Sequence, residues 1–158
     1  MAGYGSDIDY AAWLAANGHP ASPGTPTAAV LRQRGSSYID SFYGARFSGF
    51  PTTGIDQERA WPRAGASAYG TSVGSTVIPR AVVLASYLAA LQESVSPGSL
   101  SVTVTASQQV KREKVGPIEV EYQSASGDVV MSATPMLSAV EGLLAGFLTQ
   151  EIPAIFAV

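Results

Sequence analysis

Apolar residues recur at helical spacing in four stretches of the chain, separated by a long aperiodic middle and a region of strict alternation. The first stretch places Ile8, Ala11, Ala12 and Ala15 on one shallow face. Ser6 precedes it as a cap, Asp9 stands at the third helical position, and Asp7 lies near the positive end of the dipole. Asn17, Gly18 and Pro20 end it. The second stretch reads Thr25 as cap and Pro26 as first helical residue, carries Leu31, Tyr38, Ile39 and Phe42, and runs to about Tyr43, where Gly44 stops it. Gly35 sits inside this helix at a cost of about 1 kcal/mol against Ala, which points to a close helix contact there. The third stretch follows Pro79 and covers 80–93, apolar on almost every side, as expected of a helix at the centre of the fold or between subunits. The fourth uses Thr134 and Pro135 as cap and first residue. Met136, Leu137, Val140, Leu143, Leu144, Phe147 and Leu148 then form the strongest amphipathic stripe of the chain.

Between the helices the period changes. Residues 44–78 show none, yet hold Phe47, Phe50, Trp61 and Tyr69 among Gly, Pro, Ser and Thr. A loop of that length in a compact domain is functional or ordered by a partner. Residues 100–105 alternate as a strand does, and a hairpin follows. With Gly116-Pro117 as the turn, Val115 opposes Ile118, Lys114 opposes Glu119, Glu113 opposes Val120 and Arg112 opposes Glu121, giving two opposite-charge pairs across the strands. Proline in the second turn position is unfavourable, which leaves a register one residue away open.

Composition narrows the function classes. The 158 residues suffice for one core, and only 13% are charged against 46% hydrophobic, about half the roughly 25% charged residues of an ordinary soluble chain. Such a surface is expected to be covered by partners. A net charge of -3 and a pI near 5.0 remove the long-range attraction to phosphate, so any DNA contact needs a local patch. Cysteine is absent, which excludes disulfides and thiolate chemistry and fits a reducing compartment. The chain shows no targeting peptide and no apolar run long enough to cross a bilayer, so no membrane partner is expected.

Candidate chemistry is sparse. His19 lies in a Gly-His-Pro turn without a carboxylate or nucleophile at a recognisable spacing, the glycines 65, 70 and 74 lack the phosphate-cradling motif, and Asp56 and Glu58 are isolated loop carboxylates. No catalytic, cofactor or metal residue is assigned, and no enzyme is expected. The basic run Lys111, Arg112 and Lys114 is the candidate DNA-facing or channel-facing patch, although Glu119 and Glu121 face it across the hairpin and Tyr122 alone is an aromatic neighbour. Six arginines precede the hairpin, an excess over lysine that subunit contacts explain as well as phosphate does. The end of the chain is apolar: Ile152, Ile155, Phe156 and Val158 offset the entropy of ordering a terminus only when buried. Either this tail adds to the domain's own sheet, or it docks on another subunit or partner, with Pro153 tolerated at a strand start.

Several motifs then occur in order: Leu31-Arg-Gln-Arg-Gly-Ser-Ser-Tyr-Ile-Asp40, Tyr43-Gly-Ala-Arg-Phe47, Gln57-Glu-Arg-Ala-Trp-Pro-Arg63, Ile78-Pro-Arg-Ala81, Ser96-Pro-Gly-Ser-Leu100, Val110-Lys-Arg-Glu-Lys-Val-Gly116 and the Pro-Ala-Ile-Phe-Ala-Val tail. Together they resemble the small tailed-phage and prophage proteins labelled DnaT-like single-stranded-DNA-binding proteins, and equally the head-tail connector, or adaptor, proteins of long-tailed phages. The resemblance implies a mainly α fold: a small four-helix bundle with a long glycine-rich loop, a β-hairpin arm between helices three and four, and an extended tail. Residues 1–148 would form the adaptor domain with the hairpin around 100–123, and 149–158 the docking tail. It further implies a structural virion protein without cofactors, a homo-oligomer (a dodecameric ring) under the portal protein. Such a ring extends the channel for packaged double-stranded DNA and meets a tail-side neck or stopper protein. Its place would be the virion neck, and the host cytoplasm during assembly. Carried over by position, Ile152, Pro153, Ile155, Phe156 and Val158 match the docking tail, and Trp61, Pro62 and Arg63 match the loop motif as an anchor or interface. The alternative carried by the same label is a single-stranded-DNA-binding replication protein.

Overall fold

The computed structural model describes residues 2–20, 26–101, 112–115, 118–121 and 136–149. These contain four α-helices: α1 (Asp7–Ala16), α2 (Ala28–Tyr43), α3 (Arg80–Val95) and α4 (Ser138–Leu144). Three small antiparallel ladders accompany them: β1 (Phe50–Pro51) with β2 (Arg63–Ala64), β3 (Ser67–Ala68) with β4 (Thr71–Ser72), and β5 (Arg112–Val115) with β6 (Ile118–Glu121).

The ends of α1 follow the sequence. Ser6 caps it, its hydroxyl accepting from the Asp9 N–H at 3.0 Å and donating to the Asp9 carboxylate at 2.6 Å. Helix α2 begins later than expected. Thr27 is the cap, accepting from the Val30 N–H at 3.4 Å, and the helix starts at Ala28. Two Thr residues in a row of polar and proline positions can each cap, and the one nearer the apolar stripe does so; Thr25 lies outside the described residues. Gly44 closes α2 as expected.

Helix α3 is the centre. It packs along α2 on one side and α4 on another, while α1 rests on α2. Its all-round apolar character is therefore matched by burial inside one chain: Val82, Ala85, Tyr87, Ala89 and Ala90 are all buried. Gly35 is the point of closest approach between α2 and α3. A Cβ there would collide with the Ser86 carbonyl and lie 2.7 Å from the Ala90 nitrogen, so the close contact inferred from a mid-helix glycine is present.

The fourth helix is shorter than its stripe. It starts at Ser138 and ends at Leu144, and the chain passes through a 3-10 turn at Ala145–Phe147. Leu148 then leaves helical geometry to bridge antiparallel to Phe47. The expected cap, Thr134 with Pro135, lies outside the described residues, as do most of the strand expected over 100–105 and the turn at 116–117. The hairpin register itself is the one the charges specified: Arg112 opposite Glu121, Glu113 opposite Val120, Lys114 opposite Glu119 and Val115 opposite Ile118.

Candidate functional site

Two of the long loop's four aromatics find their packing within the chain itself. Phe47 and Trp61 are buried at 3% and 1% exposure in the main core beside Tyr38, Tyr43, Val82 and Leu144. Trp61 meets Phe47 edge to face at 5.5 Å and Phe147 at 6.1 Å. Phe50 and Tyr69, by contrast, are exposed.

Three residues hold Trp61 from the polar side. Tyr4, in the segment before α1, donates its hydroxyl to Asp40 at 2.5 Å and accepts from the Trp61 N–H at 3.1 Å. Asp40 also accepts from the Ala60 N–H and pairs with Arg59 at 3.1 Å. Arg59 in turn reaches the Ala2 carbonyl at 2.9 Å and Ser37 at 3.2 Å. Burial, reinforced by the Asp40 carboxylate, drives the Tyr4 phenol far above its ordinary range, so it stays a neutral donor. This network ties the N-terminal segment, α2 and the loop together. Nothing in local spacing announces it, since its members come from three distant stretches.

The peptide bond before Pro62 is cis, and the Pro62 carbonyl accepts from Thr52 N–H at 3.2 Å and the Gln57 amide at 2.9 Å. Arg63 is buried, and its guanidinium donates to four carbonyls: Ser48 at 2.9 Å, Ala60 at 3.2 Å, Phe47 at 3.3 Å and Gly49 at 2.7 Å. Burial lowers its pKa. The 47–49 edge that Arg63 holds is the one on which the chain's last described residues rest: Ser48 N–H donates to Phe147, and Thr149 N–H donates to Arg46 at 2.8 Å. Gly49, with φ +70, runs so close to Ala64 and Ala66 that a side chain would not fit. Trp61, Pro62 and Arg63 thus form one unit that seats the loop on its own core and fixes the strand edge where the C-terminal segment departs. Ile152, Pro153, Ile155, Phe156 and Val158 lie outside the described residues.

The other arginines are also engaged. Arg32 is buried, bonds Asp7 at 2.7 Å and donates to the carbonyls of Gly3, Tyr4 and Gly5. Arg34 pairs with buried Glu93 at 2.9 Å, and Arg46 with Glu141 at 3.2 Å while lying over the Tyr43 ring. Arg80 is exposed at the start of α3 and has no ion pair among the described residues. A phosphate-binding surface on the helical body that used any arginine but Arg80 would therefore have to break internal pairs or bonds. Besides Arg80, the remaining cations are those of the hairpin, Arg112 and Lys114, with Lys111 just outside the described residues.

Groups that could do acid–base or metal chemistry are not gathered. His19 stacks on Trp13 with ring centres 6.2 Å apart, Asp56 is in an exposed 3-10 turn and Glu58 is exposed. Among the described residues no three His, Asp or Glu side chains converge as a metal site, and no helix is long and apolar enough to cross a membrane.

A family model described as "Putative DnaT-like ssDNA binding protein" matches residues 3–158. No curated protein and no solved structure matches the chain.

Proposed function

The chain belongs to the family of DnaT-like ssDNA binding proteins, and from that premise we propose that it binds single-stranded DNA through the β5–β6 hairpin. The observation that carries the reading is a family match over nearly the whole chain. The arginine pairing supports this location: five of the six body arginines, Arg32, Arg34, Arg46, Arg59 and Arg63, are engaged internally, and Lys111, Arg112 and Lys114 are the cations clustered in sequence. Glu119 and Glu121 oppose two of these cations across the ladder, so the interface is weak and salt-sensitive. Three phosphate contacts on a single strand correspond to a log–log salt slope of about -2. Anisotropy of a labelled oligothymidine titrated at several salt concentrations tests this. Replacing Lys111, Arg112 and Lys114 with Gln is expected to abolish binding. Binding that survives the triple replacement places the interface elsewhere, and no binding by the parent protein removes the reading.

A second reading is favoured by the apolar surface. Phe50, Ile55 and Val95 are 64%, 101% and 75% exposed, and the 150–158 segment adds four large apolar residues, none of which single-stranded DNA binding by the hairpin uses. In this reading the protein is a non-catalytic virion component, a four-helix bundle with a hairpin arm that assembles as a ring, dodecameric in the phage adaptors it resembles. The ring sits under the portal protein at the head-tail junction, is made in the host cytoplasm, and joins a tail-side neck or stopper protein around the packaged double-stranded DNA. Ile152, Pro153, Ile155, Phe156 and Val158 would dock on the portal, and Trp61, Pro62 and Arg63 would fix the departure of that segment. Mass spectrometry of purified particles tests it: the protein is expected in every particle, and a chain lacking 152–158 is expected in none. Particles without the protein overturn the reading.

A further inference from the structure

The β3–β4 ladder closes through a two-residue turn, Tyr69-Gly70, with Ala68 opposite Thr71 and Ser67 opposite Ser72. Both turn residues have positive φ, +50 for Tyr69 and +75 for Gly70. A tight hairpin turn of this kind selects Asn, Asp or Gly for its first residue. Tyr69 breaks that preference, and it is the one non-glycine residue at positive φ among the described residues. A bulky side chain in that conformation is strained, and strain of this kind gathers at functional positions. Burial does not offset it, because 79% of the Tyr69 surface is exposed.

The exposed ring is nevertheless held in place. A Cβ on Gly146 would run into Cζ, Cε1 and Cε2 of Tyr69. All three are carbons of the one ring, so the ring lies across the Gly146 backbone. Phe147 meets it edge to face, with centres 6.3 Å apart, and in turn contacts the buried Trp61 at 6.1 Å. Tyr69 is thus supported from the core on one side and open to solvent on the other. The stretch that carries it is uncharged: residues 64–79 contain no Asp, Glu, Lys, Arg or His. A fixed, neutral aromatic face with one side free suits a planar π system, and nucleic-acid bases stack on such faces whatever their sequence.

We propose that Tyr69, seated on Gly146, is a stacking platform for one unpaired base of single-stranded DNA. The proposal rests on the family reading above and adds to the charged contact of the hairpin a contact that salt does not weaken. Gly146 is the positioning residue, since only the absence of a side chain there lets the ring lie flat.

The test compares the parent chain with Tyr69→Gly, Tyr69→Phe and Gly146→Ala, each titrated against labelled oligothymidine at stepped salt. Glycine adopts the φ of position 69 without strain, so the turn survives the loss of the ring. Tyr69→Gly is expected to bind about 5- to 150-fold more weakly, the factor for one stacked base. Its salt slope is expected to match the parent's, because no phosphate contact is lost. Tyr69→Phe keeps the ring and is expected to rescue binding. Gly146→Ala keeps Tyr69 but displaces it, and is expected to lose affinity at the same unchanged slope. Where the parent binds, the stacking proposal is overturned by full affinity in Tyr69→Gly or Gly146→Ala, by a shallower slope in either, or by a failed rescue in Tyr69→Phe. Those results leave the hairpin reading standing, whereas no binding by the parent overturns both.

Discussion

Trp61 is 1% exposed between Phe47 and Phe147, with its indole nitrogen lacking a hydrogen-bond partner among the described residues. Its ring contributes volume and contact rather than a polar bond. Trp61→Ala is expected to lower unfolding free energy by about 3–5 kcal/mol, the usual cost of emptying a large aromatic site, and Trp61→Phe by clearly less, read by urea denaturation. Arg63 differs, because its work is polar. An ammonium cannot reach four carbonyls in the plane a guanidinium spans, so Arg63→Lys is expected to cost on the order of 1–3 kcal/mol in the same assay through carbonyls left unpaired. Trp61, Pro62 and Arg63 stand out in the sequence as a unit only through the resemblance, as the match to the family's loop motif. The sequence did not mark Tyr4, Asp40 or Arg59 as one network. Their contacts join positions 19 to 57 residues apart, and no local period encodes such pairing.

Among the elements, those legible in the sequence are the ones with local causes. A side-chain cap wrote the start of α1, a glycine the end of α2, and two opposite-charge pairs the register of β5 and β6. The two-residue strands of the long loop have no period to read, and β1 and β2 pair beside the 47–49 carbonyls that Arg63 gathers. Helix α4 stops short of its apolar stripe because Leu148 gains a strand partner in Phe47, a tertiary contact that the stripe alone cannot show. At Gly35 two effects oppose each other. Alanine gains about 1 kcal/mol in helix propensity, while a Cβ against the α3 backbone costs about 1–3 kcal/mol by overpacking. Gly35→Ala is therefore expected to destabilise, and a raised melting temperature would show that α2 and α3 can separate cheaply.

The whole molecule is built around α3, and its low charge finds a partial explanation in that arrangement, since most charges of the body meet within it. Tyrosines share the same interior. Burial pushes Tyr10 from 10.0 up to about 12, and it raises Tyr4, Tyr43 and Tyr87 as well. A phenol whose pKa is higher folded than unfolded adds stability that is complete below the unfolded value and fades as pH rises toward the folded one. Stability is thus expected to fall from about pH 10 upward, as followed by far-ultraviolet circular dichroism with urea, and a flat profile to pH 12 would contradict the burial of these phenols.

The claim with the widest reach is that the clustered hairpin cations are the chain's DNA contact. It is tested most directly by titrating the purified protein against labelled oligothymidine at stepped salt, beside the chain with Lys111, Arg112 and Lys114 replaced by Gln. The account predicts binding that weakens with a log–log slope of about -2 and disappears in the variant. Equal binding by both chains, or none by either, contradicts it.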